Sequence, residues 1–169
     1  EMMDRVLFEL QSVIDLPLQI DSSSPRVLES ALRAYNGKAM VNSVSGKRES
    51  MEAVFPLVAK YGGVVVALTL DENGIPETAE GRLAIAEKIV STAASYGIQP
   101  KDIVVDALTM TVSSAADAAK VTLEAVGLIK EKLGVRTILG VSNVSFGLPQ
   151  REILNAGFYT LALYRGLDA

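Results

Sequence analysis

The sequence predicts an α/β fold in which one helix is followed by five strand–helix units. Short apolar runs rich in β-branched residues alternate with longer segments of helical periodicity. Each run is apolar on both faces, as in parallel strands that are covered by helices. Glycines also stand after four of the helical segments, shortly before the next strand. The predicted strands span residues 16–20, 39–41, 63–68, 103–105 and 137–141.

The helical segments are defined by apolar stripes and by their end signals. A stripe that includes Met3, Val6, Leu7 and Leu10 predicts that the chain begins with a helix. Ser24 before Pro25 is a typical N-cap, and the run from Ser114 to Asp117 approximates a capping box. The glycines that predict helix stops are Gly37, Gly62, Gly97 and Gly134. The predicted helices span residues 1–14, 25–36, 49–61, 78–96, 114–133 and 149–165.

Two architectures fit this order of elements. One is a five-stranded, doubly wound parallel sheet, and the other is a (β/α)₈ barrel of which this chain holds part. The predicted strands begin about 30 residues apart, so eight units would need about 240 residues, close to the ~250 typical of the barrel. The 169 residues would then hold about strands three to seven.

The composition excludes several kinds of chemistry. Cysteine, histidine and tryptophan are absent, so disulfides, thiolate zinc sites, cysteine nucleophiles and histidine bases are excluded. With 16 basic and 20 acidic residues the net charge is −4, and no basic cluster points to nucleic acid. No stretch reaches the ~18 apolar residues of a membrane span. We therefore expect a cytoplasmic protein that binds neither nucleic acid nor membrane.

A polar side chain follows each predicted strand, and the set comprises Asp21, Asn42, Thr69 with Asp71, Asp106, and Asn143. Turn chemistry explains Asp71, because Asp71 to Gly74 is a turn sequence. It explains Asp106 poorly, because this residue directly follows a buried run and precedes Ser114 by eight positions. A barrel would gather all these side chains at one mouth.

Two carboxylates and two amides at one mouth favour a particular class of ligand. Carboxylates accept hydrogen bonds from amino and ring N–H groups, so the set suits a heterocycle with an amidine-like edge. Two acidic residues on different strands are too few for a magnesium site, and we expect no bound metal.

At these residues the sequence resembles the pterin-binding family, in particular the methyltetrahydrofolate-binding barrels of corrinoid-dependent methyltransferases, including the folate module of cobalamin-dependent methionine synthase. The resemblance runs along nearly the whole chain. Its most specific segments are residues 19–23, 41–46 and 140–149, with Arg151 and Asn155. Residues 166–169 resemble the run that leads into the last strand of that barrel. The resemblance implies a (β/α)₈ barrel of the pterin-binding type, present here in part. Residues 1–169 would form a single domain that binds pterin or methyltetrahydrofolate and is a fragment of a larger barrel and a larger protein.

The resemblance also implies roles for individual residues. Asp21, Asn42 and Asp106 would hydrogen-bond the pterin ring, with Asp106 accepting from its 2-amino and N3 edge. Asn143 would lie near N5 and act in catalysis. Further pterin-site candidates on the same loop are Ser142 and Ser145, and Arg151 would either support the loop or reach the tail of the ligand.

The implied activity is the folate half-reaction of a methyltransferase. The chain would bind 5-methyltetrahydrofolate and activate its N5-methyl group for transfer to a cob(I)alamin or other corrinoid supplied by another domain or protein. Because histidine is absent, the amide oxygen of Asn143 would accept a hydrogen bond from protonated N5. The alternatives are a dihydropteroate synthase and a non-catalytic module that docks a corrinoid protein. The final methyl acceptor stays open, and a homodimer is one candidate assembly.

Overall fold

The computed structural model describes residues 2–169. Within them, strands and helices alternate along the chain. The strands are β1 (Gln19–Asp21), β2 (Met40–Ser45), β3 (Val64–Leu68), β4 (Ile103–Asp106) and β5 (Arg136–Ile138). The helices are α1 (Met2–Val13), α2 (Pro25–Ala34), α3 (Arg48–Tyr61), α4 (Ala79–Ser95), α5 (Ala118–Leu133) and α6 (Arg151–Tyr164). The first position of the helix predicted over residues 1–14 lies outside the described residues.

The order of the strands decides between the two predicted architectures. The strands pair in chain order, β1-β2-β3-β4-β5, and every neighbouring pair is parallel. A doubly wound sheet needs a point at which the strand order reverses, and this sheet has none. Each helix packs against the next one along the chain, as right-handed crossovers in a constant direction require. The doubly wound alternative is therefore wrong, and the sheet is an arc of a (β/α)₈ barrel.

The end of the chain continues this arc. The N–H of Ala169 donates to the carbonyl of Thr137 at 3.1 Å, and the N–H of Leu139 donates to the carbonyl of Ala169 at 3.1 Å. These bonds lay the last residues alongside β5, at the position of a sixth strand. The expectation that residues 166–169 lead into a further strand is supported by this pairing.

Both ends of the arc expose apolar helix faces. On α1, Met2 is 82% exposed and Phe8 is 60% exposed. On α6, Tyr164 is 88% exposed and Ile153 is 70% exposed. Exposed apolar surface of this extent is what the first and last helices of an incomplete ring present, because their next neighbours in the ring would cover it.

The core lies between the sheet and the helices. Val41, Val65 and Val105 are fully buried in three adjacent strands, and Phe55 of α3 and Ile89 of α4 are fully buried against them. Burying each of these side chains contributes about 1.5–3 kcal/mol. This core fixes the carboxyl ends of β2, β3 and β4 relative to one another.

The bounds of all five predicted strands differ in the structure, and the strand predicted over 39–41 extends to Ser45. The differences in the first and last strands have identifiable causes. The strand predicted over 16–20 begins at Gln19, because Pro17 has no N–H to donate to a ladder and Leu16 is 71% exposed. The strand predicted over 137–141 ends at Ile138. Its last predicted residue opens a 3₁₀ turn, Val141–Ser145, in which the N–H of Asn143 donates to the carbonyl of Gly140.

Some predicted helix ends also differ. The helix predicted from residue 114 begins at Ala118, with Asp117 at its N-cap position and no side-chain capping bond. The hydroxyl of Ser114 instead donates to the carbonyl of Thr111, four residues before the helix. Ser24 occupies the predicted N-cap of α2, but its side chain makes no capping bond. Gly37 does not stop that helix, which ends with Tyr35 as its C-cap. In contrast, left-handed Gly62 and Gly134 end α3 and α5 as predicted.

None of the helices within residues 2–169 has the length and apolar character that crossing a bilayer requires.

Candidate functional site

The first part of the site lies across β1 and β2. Asp21, the last residue of β1, stands in register with Asn42, which lies inside β2 because that strand continues to Ser45. The side-chain amide of Asn42 donates from Nδ2 to Oδ2 of Asp21 at 3.2 Å. Asp21 is exposed and Asn42 is half-buried. The structure therefore brings these two predicted site residues into direct contact.

Asp106 forms the second part, as the last residue of β4. Its Oδ1 accepts a hydrogen bond from the N–H of Leu108 at 2.8 Å, while Oδ2 has no hydrogen-bond donor among residues 2–169. Burial raises the pKa of this carboxyl above its ordinary value, and the Leu108 N–H and the charge of Arg82 oppose that rise. A poorly solvated carboxylate with a vacant acceptor oxygen is suited to a ligand N–H group.

Arg82 on α4 holds the loop that follows Asp106. The side chain is 2% exposed, and its Nη1 donates to the carbonyls of Ala107 and Leu108, each at 2.8 Å, and to Oγ1 of Thr122 at 3.0 Å. Its Nε donates to the carbonyl of Pro76 at 3.1 Å. Sequence reasoning missed this residue.

A signal for Arg82 was present in the sequence. Ala79, Ile85, Ala86 and Ile89 lie on the buried stripe of α4, and Arg82 occupies the same stripe. A charged residue at a position where helical periodicity predicts an apolar one is seldom buried without specific partners.

The polar residues after β3 have structural roles. Thr69 is fully buried, and its N–H and hydroxyl both donate to the carbonyl of Asp106, at 3.1 Å and 3.0 Å. Asp71 exchanges two backbone hydrogen bonds with Gly74 and accepts the N–H of Asn73 at 2.8 Å. The predicted turn from Asp71 to Gly74 is confirmed.

Asn143 lies in the 3₁₀ turn after β5, with its side chain exposed. Its Nδ2 lies 3.1 Å from the point that a Cβ at Gly140 would occupy. Any side chain at position 140 would therefore press on the amide of Asn143, and glycine leaves room for the amide to lie close over the backbone.

Two other predicted residues, Ser145 and Arg151, stabilise this loop by hydrogen bonds. Ser145 is fully buried, and its hydroxyl donates to Oδ1 of Asn155 at 2.7 Å. Arg151 donates from Nε to the Ser145 hydroxyl at 3.1 Å and from Nη2 to the carbonyl of Ser142 at 2.9 Å. Arg151 was predicted either to support the loop or to reach the tail of the ligand, and in the structure its side chain supports the loop.

The loops after β4 and β5 are tied together. The N–H of Val112 donates to the carbonyl of Val144 at 3.0 Å, and the hydroxyl of Thr111 donates to the carbonyl of Phe146 at 3.0 Å. The segments that carry Asp106 and Asn143 therefore form one connected rim at the carboxyl ends of the strands.

Chemically, this rim offers carboxylate and amide oxygens with amide N–H groups beside them. Residues 2–169 contain no group of three or more acidic side chains that could hold a metal ion. Asp21 and Asp106 each accept one protein N–H, and each carboxylate keeps acceptor capacity for the N–H groups of an organic ligand.

Comparison with known proteins gives relatives along nearly the whole chain. Methionine synthase of Mycobacterium tuberculosis is 34% identical over 167 residues, which is 91% of this chain and 14% of that protein. The methylcorrinoid:tetrahydrofolate methyltransferase of Eubacterium limosum is 32% identical over 165 residues, 95% of this chain and 60% of that protein. The chain therefore spans a small part of the first relative and less than two thirds of the second.

Solved structures agree with the fold. The dihydropteroate synthase of Clostridium difficile, solved in the presence of pteroic acid, superposes with a TM-score of 0.74 at 23% identity over 96% of this chain and 64% of that one. The dihydropteroate synthase of Thermus thermophilus gives 0.72 at 22% identity, over 96% and 67%. This likeness supports the barrel architecture.

The family model described as pterin binding enzyme matches residues 1–169, the whole chain. Together with the barrel arc and the rim of carboxylates and amides, this match shows that the chain belongs to the pterin-binding enzyme family.

Proposed function

We propose that the chain binds 5-methyltetrahydrofolate and activates its N5-methyl group for transfer to a corrinoid held by another domain or protein. The observation that supports this proposal most directly is the half-buried carboxylate of Asp106. One of its oxygens accepts no hydrogen bond from residues 2–169. The names of the relatives support the class of reaction, since one acts between methylcorrinoid and tetrahydrofolate and the other is a methionine synthase.

The ring-binding part of the site follows from its donors and acceptors. The 2-amino group and N3–H of a pterin form a two-donor edge, and a carboxylate is its complementary acceptor. Asp106 is the proposed partner of that edge. Asp21 and Asn42, which are already hydrogen-bonded to each other, would fix a second part of the ring.

The activation step concerns the nitrogen that releases the methyl group. A methyl on a tertiary amine is a poor electrophile until the nitrogen is protonated. In the transfer the N5–CH₃ bond breaks, its electron pair stays on N5, and the methyl passes to a reduced corrinoid. The oxygen of Asn143 would accept a hydrogen bond from protonated N5, so that its stabilisation grows as the positive charge develops.

The remaining predicted residues would act through the loop. Arg151 and Ser145 hold the 3₁₀ turn in which Asn143 lies. We propose that Ser142 borders the ligand, since its side chain is exposed beside Asn143. A preorganised turn of this kind keeps the amide in place without reorganisation during the reaction.

Titration calorimetry with 5-methyltetrahydrofolate tests the proposal most directly. Binding by this chain is expected, and Asp106→Asn is expected to bind about a hundredfold more weakly. A dihydropteroate synthase would instead join a pterin pyrophosphate to aminobenzoate with release of pyrophosphate. Formation of that product, or no affinity for 5-methyltetrahydrofolate, would overturn the proposal. The relatives at over 30% identity favour the methyltransferase over this alternative.

A further inference from the structure

We propose that Arg82 is a positioning residue for the carboxylate of Asp106, holding the Leu108 N–H on Oδ1 through the carbonyls of Ala107 and Leu108. The inference rests on the proposed function, in which Asp106 binds the ligand. Arg82 itself is outside the rim and contacts no proposed ligand atom.

The hydrogen bonds of Arg82 are those of a brace for the loop. Arg82 is 2% exposed, and its guanidinium makes four hydrogen bonds, all to neutral oxygens. The described residues place no carboxylate within ion-pair distance of it. A buried cation without an adjacent counter-ion is costly unless its hydrogen bonds are well made, and the four bonds of Arg82 meet this condition.

The hydrogen bonds of Arg82 hold a strained stretch of backbone. Leu108 has φ +61°, in the left-handed region that residues with side chains seldom adopt. This conformation turns the N–H of Leu108 back toward Asp106, where it donates at 2.8 Å. Arg82 binds the carbonyls on either side of that N–H, of Ala107 and of Leu108 itself. The left-handed turn, and the orientation of the carboxylate, therefore depend on the guanidinium.

The charges around the two groups are few. Arg82 is the charged group that acts on Asp106, and it favours the ionised carboxylate. Arg82 also lines a cavity of about 490 Å³ between the loops after β3 and β4. Two acidic residues, Glu77 and Asp117, line the same cavity. Burial already raises the pKa of Asp106, and the positive charge of Arg82 opposes that rise. Loss of this charge should therefore raise the pKa of Asp106 further.

The test measures Asp106 directly in the full chain without any ligand. Aspartate labelled with ¹³C at the carboxyl, assigned with Asp106→Asn, reports the titration midpoint of Asp106, and hydrogen exchange reports the Leu108 amide. In Arg82→Gln we expect the midpoint to move to higher pH and Leu108 to exchange about tenfold faster, as expected for the loss of one good hydrogen bond. Arg82→Lys keeps the positive charge but loses the planar guanidinium that binds several oxygens at once. The Leu108 amide should therefore exchange faster than in the parent, and the Asp106 midpoint should change less than in Arg82→Gln.

Two further variants separate positioning from general loss of stability. Thr122→Val removes one acceptor of Arg82 and the 3.4 Å hydrogen bond from the Thr122 hydroxyl to the Leu108 carbonyl, without changing charge. It should speed Leu108 exchange less than Arg82→Gln does. Ile89→Val destabilises the same helix away from the loop and should leave the Leu108 amide and the Asp106 midpoint unchanged. If Arg82→Gln does not fold, Arg82→Lys and Thr122→Val carry the test.

The outcomes distinguish this inference from the proposed function. Unchanged Leu108 exchange and an unchanged Asp106 midpoint in folded Arg82 variants overturn the positioning role. Altered exchange and midpoint, with 5-methyltetrahydrofolate bound about tenfold more weakly, support both. If exchange and midpoint change while neither Arg82→Gln nor Asp106→Asn alters the affinity for 5-methyltetrahydrofolate, positioning stands and the proposed function fails.

Discussion

The side-chain amide of Asn42 donates from Nδ2 to Oδ2 of Asp21 at 3.2 Å, across the parallel pair of β1 and β2. This bond fixes the carboxylate of Asp21 by a neutral donor and leaves its second oxygen toward solvent. An amide beside a carboxylate is a favourable neighbour for a ring that carries both donors and acceptors, because both groups can be satisfied in one plane.

Replacing Asn42 by alanine should therefore weaken the affinity for 5-methyltetrahydrofolate by about tenfold, the effect of losing one hydrogen bond at a bound ring. The free energy of unfolding should change by less than about 1 kcal/mol, because Asp21 stays solvated. Calorimetry and urea unfolding measure the two quantities. Asn73→Ala, in the turn after β3, is the matched control, and equal affinities in the two variants would contradict this role of Asn42.

Asp106→Asn should reduce the affinity for 5-methyltetrahydrofolate by about a hundredfold, because the ionised acceptor of the two-donor edge is lost. The variant should also be more stable than the parent at neutral pH. Burial raises the pKa of Asp106, so the parent loses stability as the pH rises from the ordinary carboxyl value through the raised one. Urea unfolding at about pH 7 and about pH 3.5 measures the difference, which should shrink at the lower pH. A variant less stable than the parent at neutral pH contradicts it.

Asn143→Ala should slow methyl transfer to added cob(I)alamin by about a hundredfold, the usual scale for one lost transition-state hydrogen bond. Binding of 5-methyltetrahydrofolate should weaken much less, because the amide acts mainly as charge develops on N5. Single-turnover absorbance and calorimetry separate the two effects. A normal transfer rate would remove Asn143 from the mechanism.

Gly140→Ala offers a gentler test of the same amide. The new methyl would sit about 3.1 Å from Nδ2 of Asn143, closer than ordinary van der Waals contact, so the amide must move by a few tenths of an ångström. Displacements of this size at a catalytic group reduce rates, and we expect a several-fold slower transfer with little change in affinity. Gly127→Ala, where the same methyl meets nothing closer than 3.9 Å, is the control and should leave the rate unchanged.

Asp168 stabilises the last strand pair. It accepts two bonds from Lys130 Nζ, each at 2.7 Å, and the N–H of Thr137 at 2.8 Å. Burial alone would raise the pKa of Asp168, but the bonds from Lys130 and Thr137 outweigh it and lower the pKa. Asp168→Ala should reduce the free energy of unfolding by about 1–2 kcal/mol at neutral pH.

This contribution has a defined pH dependence. Because the pKa is lowered in the folded chain, the stabilisation is present above the ordinary carboxyl pKa and is lost as the pH falls through the lowered value. Parent and Asp168→Ala should therefore converge in urea unfolding at about pH 2. A difference between them that stays constant from neutral pH to that acid limit would contradict the assignment.

The sequence predicted the order of strands and helices, and it placed Asp21 and Asp106 correctly at strand ends, whereas Asn42 lies inside β2. Buried strands and amphipathic helices are encoded in short-range periodicity, and αL glycines such as Gly62 and Gly134 are encoded in single residues, so both could be read without the fold. The residues of the site resembled a known family, and the match of that family's model to residues 1–169 confirms the family. The bounds of β1, β2 and β5 were predicted less well. The end of β2 depends on its pairing with β3, and the bounds of β1 and β5 depend on the missing N–H of Pro17 and on the 3₁₀ turn that follows Gly140.

The family resemblance predicted the barrel, and the strand order in the tertiary structure confirms it. Only the tertiary structure shows what holds the site in shape. The order β1-β2-β3-β4-β5 is a property of pairing between segments, and periodicity within a segment contains no information about it. Arg82 reaches Ala107, Leu108 and Thr122 from 25 to 40 positions away. Contacts at such separation depend on the packing of α4 and α5 against the sheet, and a single sequence indicates only that a charged residue stands at a buried position.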